Sequence, residues 1–204
     1  MQIDFSTLSP NQRYFSMTQT IVPRPVAWVL SDNGDGGYNL APFSYFNAIC
    51  SAPPLLMLSI GKKPNGDKKD SIVNIVERHR FVVHIPHWDL AGAVTETSRT
   101  LRHGDSELKS VDLTLTKFDD FSLPRVAECR VAYACELYKV EEVGEVPQTL
   151  ILGEVKHLFL NDRVATVDDS GRLHVDALAV DPLSRLGGEE YGRLGELISV
   201  PRPK

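Results

Sequence analysis

Two long β-type runs restrict the fold of this chain more than any other feature. Residues 127–142 and 148–161 are rich in strand-forming side chains, and only a short stretch containing Gly144-Glu145-Val146-Pro147 separates them. So short a connection joins antiparallel neighbours, because parallel strands need a crossover of about a dozen residues or more. The two runs therefore form one long hairpin, and the other elements must be arranged around it.

The preceding half supplies the rest of a β-architecture. Residues 21–31 carry Val22, Val26, Trp28, Val29 and Leu30, and Pro23 and Pro25 require that strand to start at an edge or to pair only after Pro25. The run DNGDGG at 32–37 is a turn, and residues 38–43 return as the second arm of a hairpin. Residues 42–54 read as an irregular, aromatic connection. Residues 55–60 are almost wholly apolar, as in a strand buried on both sides. Residues 81–85 and 113–118 are further strands, the latter half-exposed.

Helices are expected at 10–17 after Ser9-Pro10, at 70–80 with Asp70 or Ser71 as its cap, and at 89–98 capped by Asp89. Residues 61–69 and 101–110 read as loops, the second with a frayed helix as an alternative. Beyond the long hairpin lie a turn (VDDSGR), a short element (HVDALAV) and a Gly-rich tail from Asp181. Seven or so mostly antiparallel strands with a few inserted helices make a mainly β protein, a barrel or sandwich, and not a doubly wound β-α-β fold. No repeat, low-complexity tract or linker divides the chain, so residues 1–204 are expected to form one domain.

Several functions are disfavoured. The formal net charge of −5 is not the basic footprint of a nucleic-acid binder, although a local cluster of lysines can still hold a small anion. The three cysteines and the absence of a secretory signal point to reduced thiols and a cytoplasmic protein. No apolar stretch approaches the roughly 18 residues of a membrane span. There is no G-x-S-x-G elbow, no Walker A motif and no G-x-G-x-x-G after a strand. His84 and His87 flank Pro86 with no obvious third ligand, so no metal site is expected. Cys129 and Cys135 read as one face of a single strand, about 20 Å apart and unable to pair. Cys50 is a candidate nucleophile, but the favoured reading is a small buried residue.

Two stretches carry chemistry. Lys62, Lys63, Lys68 and Lys69 lead into the helix that begins near Asp70 and Ser71. A helix N-terminus presents free N–H groups and the positive end of its dipole, so lysines and a hydroxyl beside it suit a phosphate; a solvated charged loop is the plainer alternative. In residues 39–47, Asn39, Ser44, Asn47 and the backbone around Ala41 and Pro42 suit the edge of a planar heterocycle. Trp28, Tyr45 and Phe46 suit its faces. Phe43 and Phe46 equally suit a hydrophobic core, which is the reading that residue type alone favours.

The segments PRPVAWVLS, YNLAPFSYFNAICSAPPLLMLSIG, KKDSIVNI, FVVHI, AECRVAYACELYKV and ILGEV occur in this order. Together they resemble the flavin reductase-like family of FMN-binding split-barrel proteins. The resemblance implies a Greek-key-like barrel of six strands, a homodimer, one FMN per subunit, and NADH or NADPH as electron donor. It places Arg24, Asn39, Ala41, Pro42, Ser44 and Phe46 beside the flavin ring, and Ser59 and Lys62 along its ribityl chain. It places Lys69-Asp70-Ser71, with Lys68 in the same loop, at the phosphate. A C-terminal segment with Arg185, Gly187, Gly188 and Tyr191 would fold over a flavin. The sequence departs from the family at Gln148-Thr149-Leu150, where a His is common. The rival expectations are a flavoredoxin-like FMN electron carrier without nicotinamide turnover and a flavin-free ligand-binding barrel.

Overall fold

The structure, a computed structural model, describes residues 1–203. Helix α1 (Pro10–Thr20) starts in a full capping box, with Ser9 and Gln12 exchanging side-chain and backbone hydrogen bonds. Strand β1 (Arg24–Pro25) leads to β2 (Ala27–Asp32), which forms a hairpin with β3 (Tyr38–Phe43). Strands β4 (Phe46–Ser51) and β5 (Pro54–Ile60) form a second hairpin, followed by α2 (Asp70–Arg78), β6 (Arg80–Ile85) and the short α3 (Ala91–Glu96). The two-residue strands β7 (Leu115–Thr116) and β8 (Arg125–Val126) pair with each other. The central hairpin is β9 (Val131–Val143) with β10 (Gln148–Leu160). A small hairpin of β11 (Ala165–Val167) and β12 (Leu173–Val175), helix α4 (Ala177–Val180), and strands β13 (Ser184–Arg185) and β14 (Tyr191–Gly192) complete the chain.

The main sheet has seven antiparallel strands in the order β3-β2-β6-β9-β10-β5-β4. Its outer strands do not pair with one another, so the curled sheet stays open along a seam where β3 comes alongside β5. The fold is thus mainly β with a split rather than a closed barrel. The central strands β2 and β6 are buried on both faces, as their unbroken apolar runs require. On one face Trp28, Leu30, Leu40 and Val82 pack with Val94, Val126 and Leu183. On the other, Val29, Leu58, Ile60, Phe81 and Ile151 pack with Ile72 and Ile75 of α2. Those two isoleucines are fully buried, worth about 1.5–3 kcal/mol each, and they seat the helix whose N-terminus forms part of the site. A small sheet, β1-β13-β14, carries the C-terminal segment back to the start of β2.

Several expectations from the sequence are corrected. The connection at 42–54 contains a strand, β4, with a register shift between Ala48 and Cys50, which propensity hides because it is an exposed edge strand. The expected strand at 113–118 pairs only over Leu115–Thr116. Neither Asp70 nor Ser71 caps α2: Lys69 occupies the N-cap and provides no side-chain bond. Asp89 falls in a 3-10 turn (Trp88–Leu90), with Leu90 at the N-cap of α3. Cys50 is exposed on β4. Cys129 precedes β9, and it packs in a different core from Cys135. His84 is wholly buried, its Nδ1 2.9 Å from the Trp28 carbonyl and its Nε2 accepting from the Val126 N–H at 2.9 Å. Among the described residues, no helix is long and apolar enough to cross a membrane.

Candidate functional site

The N-terminus of α2 faces the outer strand β3 across a narrow cleft. The Lys69 carbonyl accepts from the Ile72 and Val73 amides. Among the described residues, the amides of Asp70 and Ser71 in this first turn find no protein acceptor. The buried Ser71 hydroxyl accepts from Asn39 Nδ2 at 2.9 Å, which fixes its position on the cleft wall and leaves its own hydrogen uncommitted.

Charge around this cleft is arranged unevenly. Asp70 Oδ1 accepts from Lys63 Nζ at 2.7 Å and lies 3.1 Å from His103 Nδ1, so a buried carboxylate pins one lysine at the cleft. Lys69 has no such partner among the described residues. Its ammonium lies 5.5 Å from the centre of the Phe43 ring, and burial, then the neighbouring Lys63, pushes its pKa down. An anion in the cleft would reverse that penalty. The far wall is the segment 97–101 together with Glu107. Thr97 is set in place by the buried Trp28, whose indole N–H donates to Thr97 Oγ1 at 2.8 Å. Glu107 is buried against the Leu40 amide, and burial raises its pKa.

A broader cleft of about 520 Å³ adjoins the first and shares Pro42 and Ser98 with it. This volume falls within the range usual for small-molecule sites, about 300–1,000 Å³. Val26, Phe43 and Val94 give it apolar walls, and Ser44, Thr95 and Tyr191 bring hydroxyls. The C-terminal segment reaches it because β13 pairs with β1, setting Arg185 opposite Arg24, and β14 sets Tyr191 opposite Arg185. The turn between β13 and β14 uses Gly188 at φ 58°, a left-handed conformation that suits glycine. The Arg185 guanidinium lies 4.8 Å from the centre of the Tyr191 ring and donates to the carbonyls of Glu190 and Gly188.

The structure thus brings together Asn39, Ala41, Pro42, Lys69, Asp70 and Ser71 at the narrow cleft, and Ser44, Arg185 and Tyr191 with Pro42 at the broad one. Outside both lie Trp28, Tyr45, Asn47, Gly187 and Gly188, together with Arg24, Phe46, Ser59, Lys62 and Lys68. Arg24 is buried behind Ser44. Phe46 packs against the α2-side core. Ser59 is held within β5, donating its amide to the Tyr45 carbonyl. Lys62 is exposed, and Lys68 pairs with Glu142 at 3.2 Å. Lys63, Ser98, Arg99, Thr100, Leu101 and Glu107 line the narrow cleft without having been selected from the sequence as site residues. Lys63 was visible as part of the lysine cluster. The others sit in a charged stretch with no local signal.

A flavin reductase like domain model matches residues 18–174. Protein BH2278 of Halalkalibacterium halodurans is 34% identical, over 100% of this chain and 97% of the relative. Protein YwrF of Bacillus subtilis is 34% identical, over 96% of each. Among solved structures, nitrilotriacetate monooxygenase component B from Bacillus cereus superposes with a TM-score of 0.88 at 32% identity, over 98% of both chains. The 2-nitrobenzoate 2-nitroreductase NbaA of Pseudomonas fluorescens gives a TM-score of 0.87 at 29% identity, covering 100% of this chain and 96% of the other.

Proposed function

The chain belongs to the flavin reductase-like family, whose members are tied to flavin redox chemistry, and from that premise we propose that it binds FMN and passes electrons from NADH or NADPH through the flavin to an acceptor. One observation carries this reading. A cation-lined helix N-terminus opens directly into a cleft large enough for a planar ring, with Pro42 and Ser98 common to both.

The residues present fit FMN. Lys63, Lys69, the first-turn amides of α2 and the Ser71 hydroxyl would hold the phosphate. Val26, Phe43 and Val94 would cover the ring, with Ser44 and Tyr191 at its polar edge. Bound FMN supplies the two-electron chemistry, so the protein needs no general acid or base of its own for hydride transfer. What the chain contributes is binding, orientation and the local field. Tyr191 and Arg185, which line one side of the cleft, would cover the bound ring there.

The test is the visible absorption spectrum of the protein supplied with FMN, followed by NADH and then NADPH without oxygen. Binding followed by bleaching with either nucleotide is the expected result. Binding without bleaching overturns the nicotinamide step and leaves electron carriage between other partners, while a protein that never takes up FMN overturns the whole reading.

The same proposal includes a homodimer. Its support is a largely apolar groove of about 350 Å³, lined by Val131, Tyr133, Leu158, Leu173 and Val175 among others. Leu158, Leu173 and Val175 are each more than 40% exposed in the single chain, and contiguous apolar surface of this kind is typical of an interface. Light scattering on the eluted protein distinguishes the dimer from a monomer, which would overturn this part.

A further inference from the structure

Four hydroxyl side chains line the broad cleft: Ser44, Thr95, Ser98 and Tyr191. Each carries one hydrogen to donate, and the hydrogen bonds account for three of the four. Thr95 donates to the Ala91 carbonyl at 2.9 Å. Ser98 donates to the Thr95 carbonyl at 2.6 Å. The Thr95 and Tyr191 oxygens are 3.1 Å apart, and since the Thr95 hydrogen is committed to Ala91, Tyr191 is the donor in that pair. Ser44 differs. Its oxygen accepts from Arg24 Nε at 3.3 Å, and among the described residues its hydrogen has no protein acceptor.

Arg24 is what enforces this polarity. It is 5% exposed and has no carboxylate within ion-pair distance among the described residues. Its guanidinium donates to the carbonyls of Thr18 and Ile21, where α1 ends, to the Leu186 carbonyl in the C-terminal segment, and to Ser44. A guanidinium only donates, so the oxygen it contacts must accept from it and turn its own hydrogen elsewhere. Ser44 also lines the cleft, which offers its hydrogen an open direction. The cost of burying a charge without an ionic partner is offset by this set of carbonyls, which fixes Arg24 in one place.

We propose that Ser44 is the hydroxyl donor of the broad cleft, addressed to the electron-rich edge of the bound ring, and that Arg24 is a positioning residue that sets its direction. The assignment rests on the FMN reading above. A donor aimed at ring atoms that gain electron density on reduction stabilises the reduced flavin more than the oxidised one. It therefore raises the midpoint potential.

The test is a double-mutant cycle on the midpoint potential and visible spectrum of the FMN-loaded protein, using Ser44→Ala, Arg24→Lys and the pair together. Ser44→Ala is expected to lower the preference for reduced over oxidised flavin about tenfold, a fall of about 30 mV for a two-electron couple. Ser44→Thr, which keeps the hydroxyl, is expected to restore it. Arg24→Lys lowers the potential in the parent protein but adds nothing once Ser44 is alanine, whereas a merely structural role would give an additive shift. If Arg24→Lys does not fold, the two Ser44 variants still decide whether the donor exists. A parent protein that binds no FMN overturns the functional reading together with this assignment. A parent that binds FMN while Ser44→Ala keeps its potential, or while the two shifts add in full, overturns the assignment alone.

Discussion

Lys69→Met separates a phosphate site from a charged surface loop. Methionine keeps the length and apolar body of the side chain and removes the charge. In the protein without ligand, Lys69 is held among neighbours that disfavour its charge: burial and Lys63 both push its pKa down, and its favourable contact is with the Phe43 ring, 5.5 Å away. A cation–π contact of that kind contributes about 0.5–1 kcal/mol. Its loss is countered by relief of the desolvated charge, so the stability of the ligand-free variant should stay within about 1 kcal/mol of the parent. With phosphate bound the balance changes. A hydrogen bond to a charged group is worth about 1.5–3 kcal/mol, so FMN affinity should fall about ten- to a hundredfold. Riboflavin has the same ring and no phosphate, and its affinity should change less than about twofold. Fluorescence titration of both ligands at one fixed salt concentration measures the difference. Equal losses for FMN and riboflavin, or no loss of either, would show that Lys69 does not face a phosphate.

Two predictions concern the scaffold. A methyl group at Gly153 would sit 2.3 Å from Cζ of the buried Phe81 ring; Gly153→Ala should therefore cost about 1–3 kcal/mol through overpacking, seen as a lower urea midpoint, and an unchanged midpoint would mean that Phe81 has room to turn. His84 is buried as the neutral ring, with Nε2 accepting from the Val126 amide, and its pKa falls from 6.5 to about 4. The unfolded chain then binds more protons between those values, so the contribution of His84 is full above about pH 6.5 and is lost as the pH falls toward 4. At pH 5 the loss is about 2 kcal/mol, and urea unfolding at pH 7 and pH 5 should show it; stability that does not decline over this interval would contradict the burial of a neutral His84.

The fold was legible wherever a residue pattern has a single structural solution. The long hairpin followed from two β-runs with a turn between them, and α2 from Ile72 and Ile75 spaced for one helix face. Strand β4 was not legible, because an exposed edge strand has no buried face to impose a pattern on Asn47, Ala48 and Cys50. The site divided in the same way. Lys69 and Ser71 could be singled out because a helix entrance is a local object with a known chemistry. The wall of Ser98, Arg99 and Leu101 could not, since it is brought to the cleft by the Trp28–Thr97 contact across 69 residues of sequence. Arg24 was singled out by a motif resemblance alone, and its hydrogen bonds tie it to Ser44 and to the Leu186 carbonyl.

Glu107 joins the problem of the sheet edge to the problem of the site. Strand β3 ends the main sheet, and a free strand edge invites unwanted pairing unless something blocks it. Along that edge the Leu40 amide is taken by Glu107 Oε2 at 3.1 Å, and the Tyr38 carbonyl accepts from the Ser106 hydroxyl. Pro42, two residues beyond Leu40 and therefore of the same orientation, has no amide hydrogen to offer. The edge is thus closed by the segment around Ser106 and Glu107 at one end and by a proline at the other. Both Pro42 and Glu107 line the narrow cleft. A carboxylate buried there adds negative charge, which would oppose an anion were it not for Lys63, held by Asp70, and Lys69, which has no carboxylate partner among the described residues. Lys63 and Lys69 together offset Asp70 and Glu107, and the first-turn amides of α2 then supply the attraction for an anion. That balance accounts for Lys63 and Lys69 at this helix entrance in a chain whose net charge is negative.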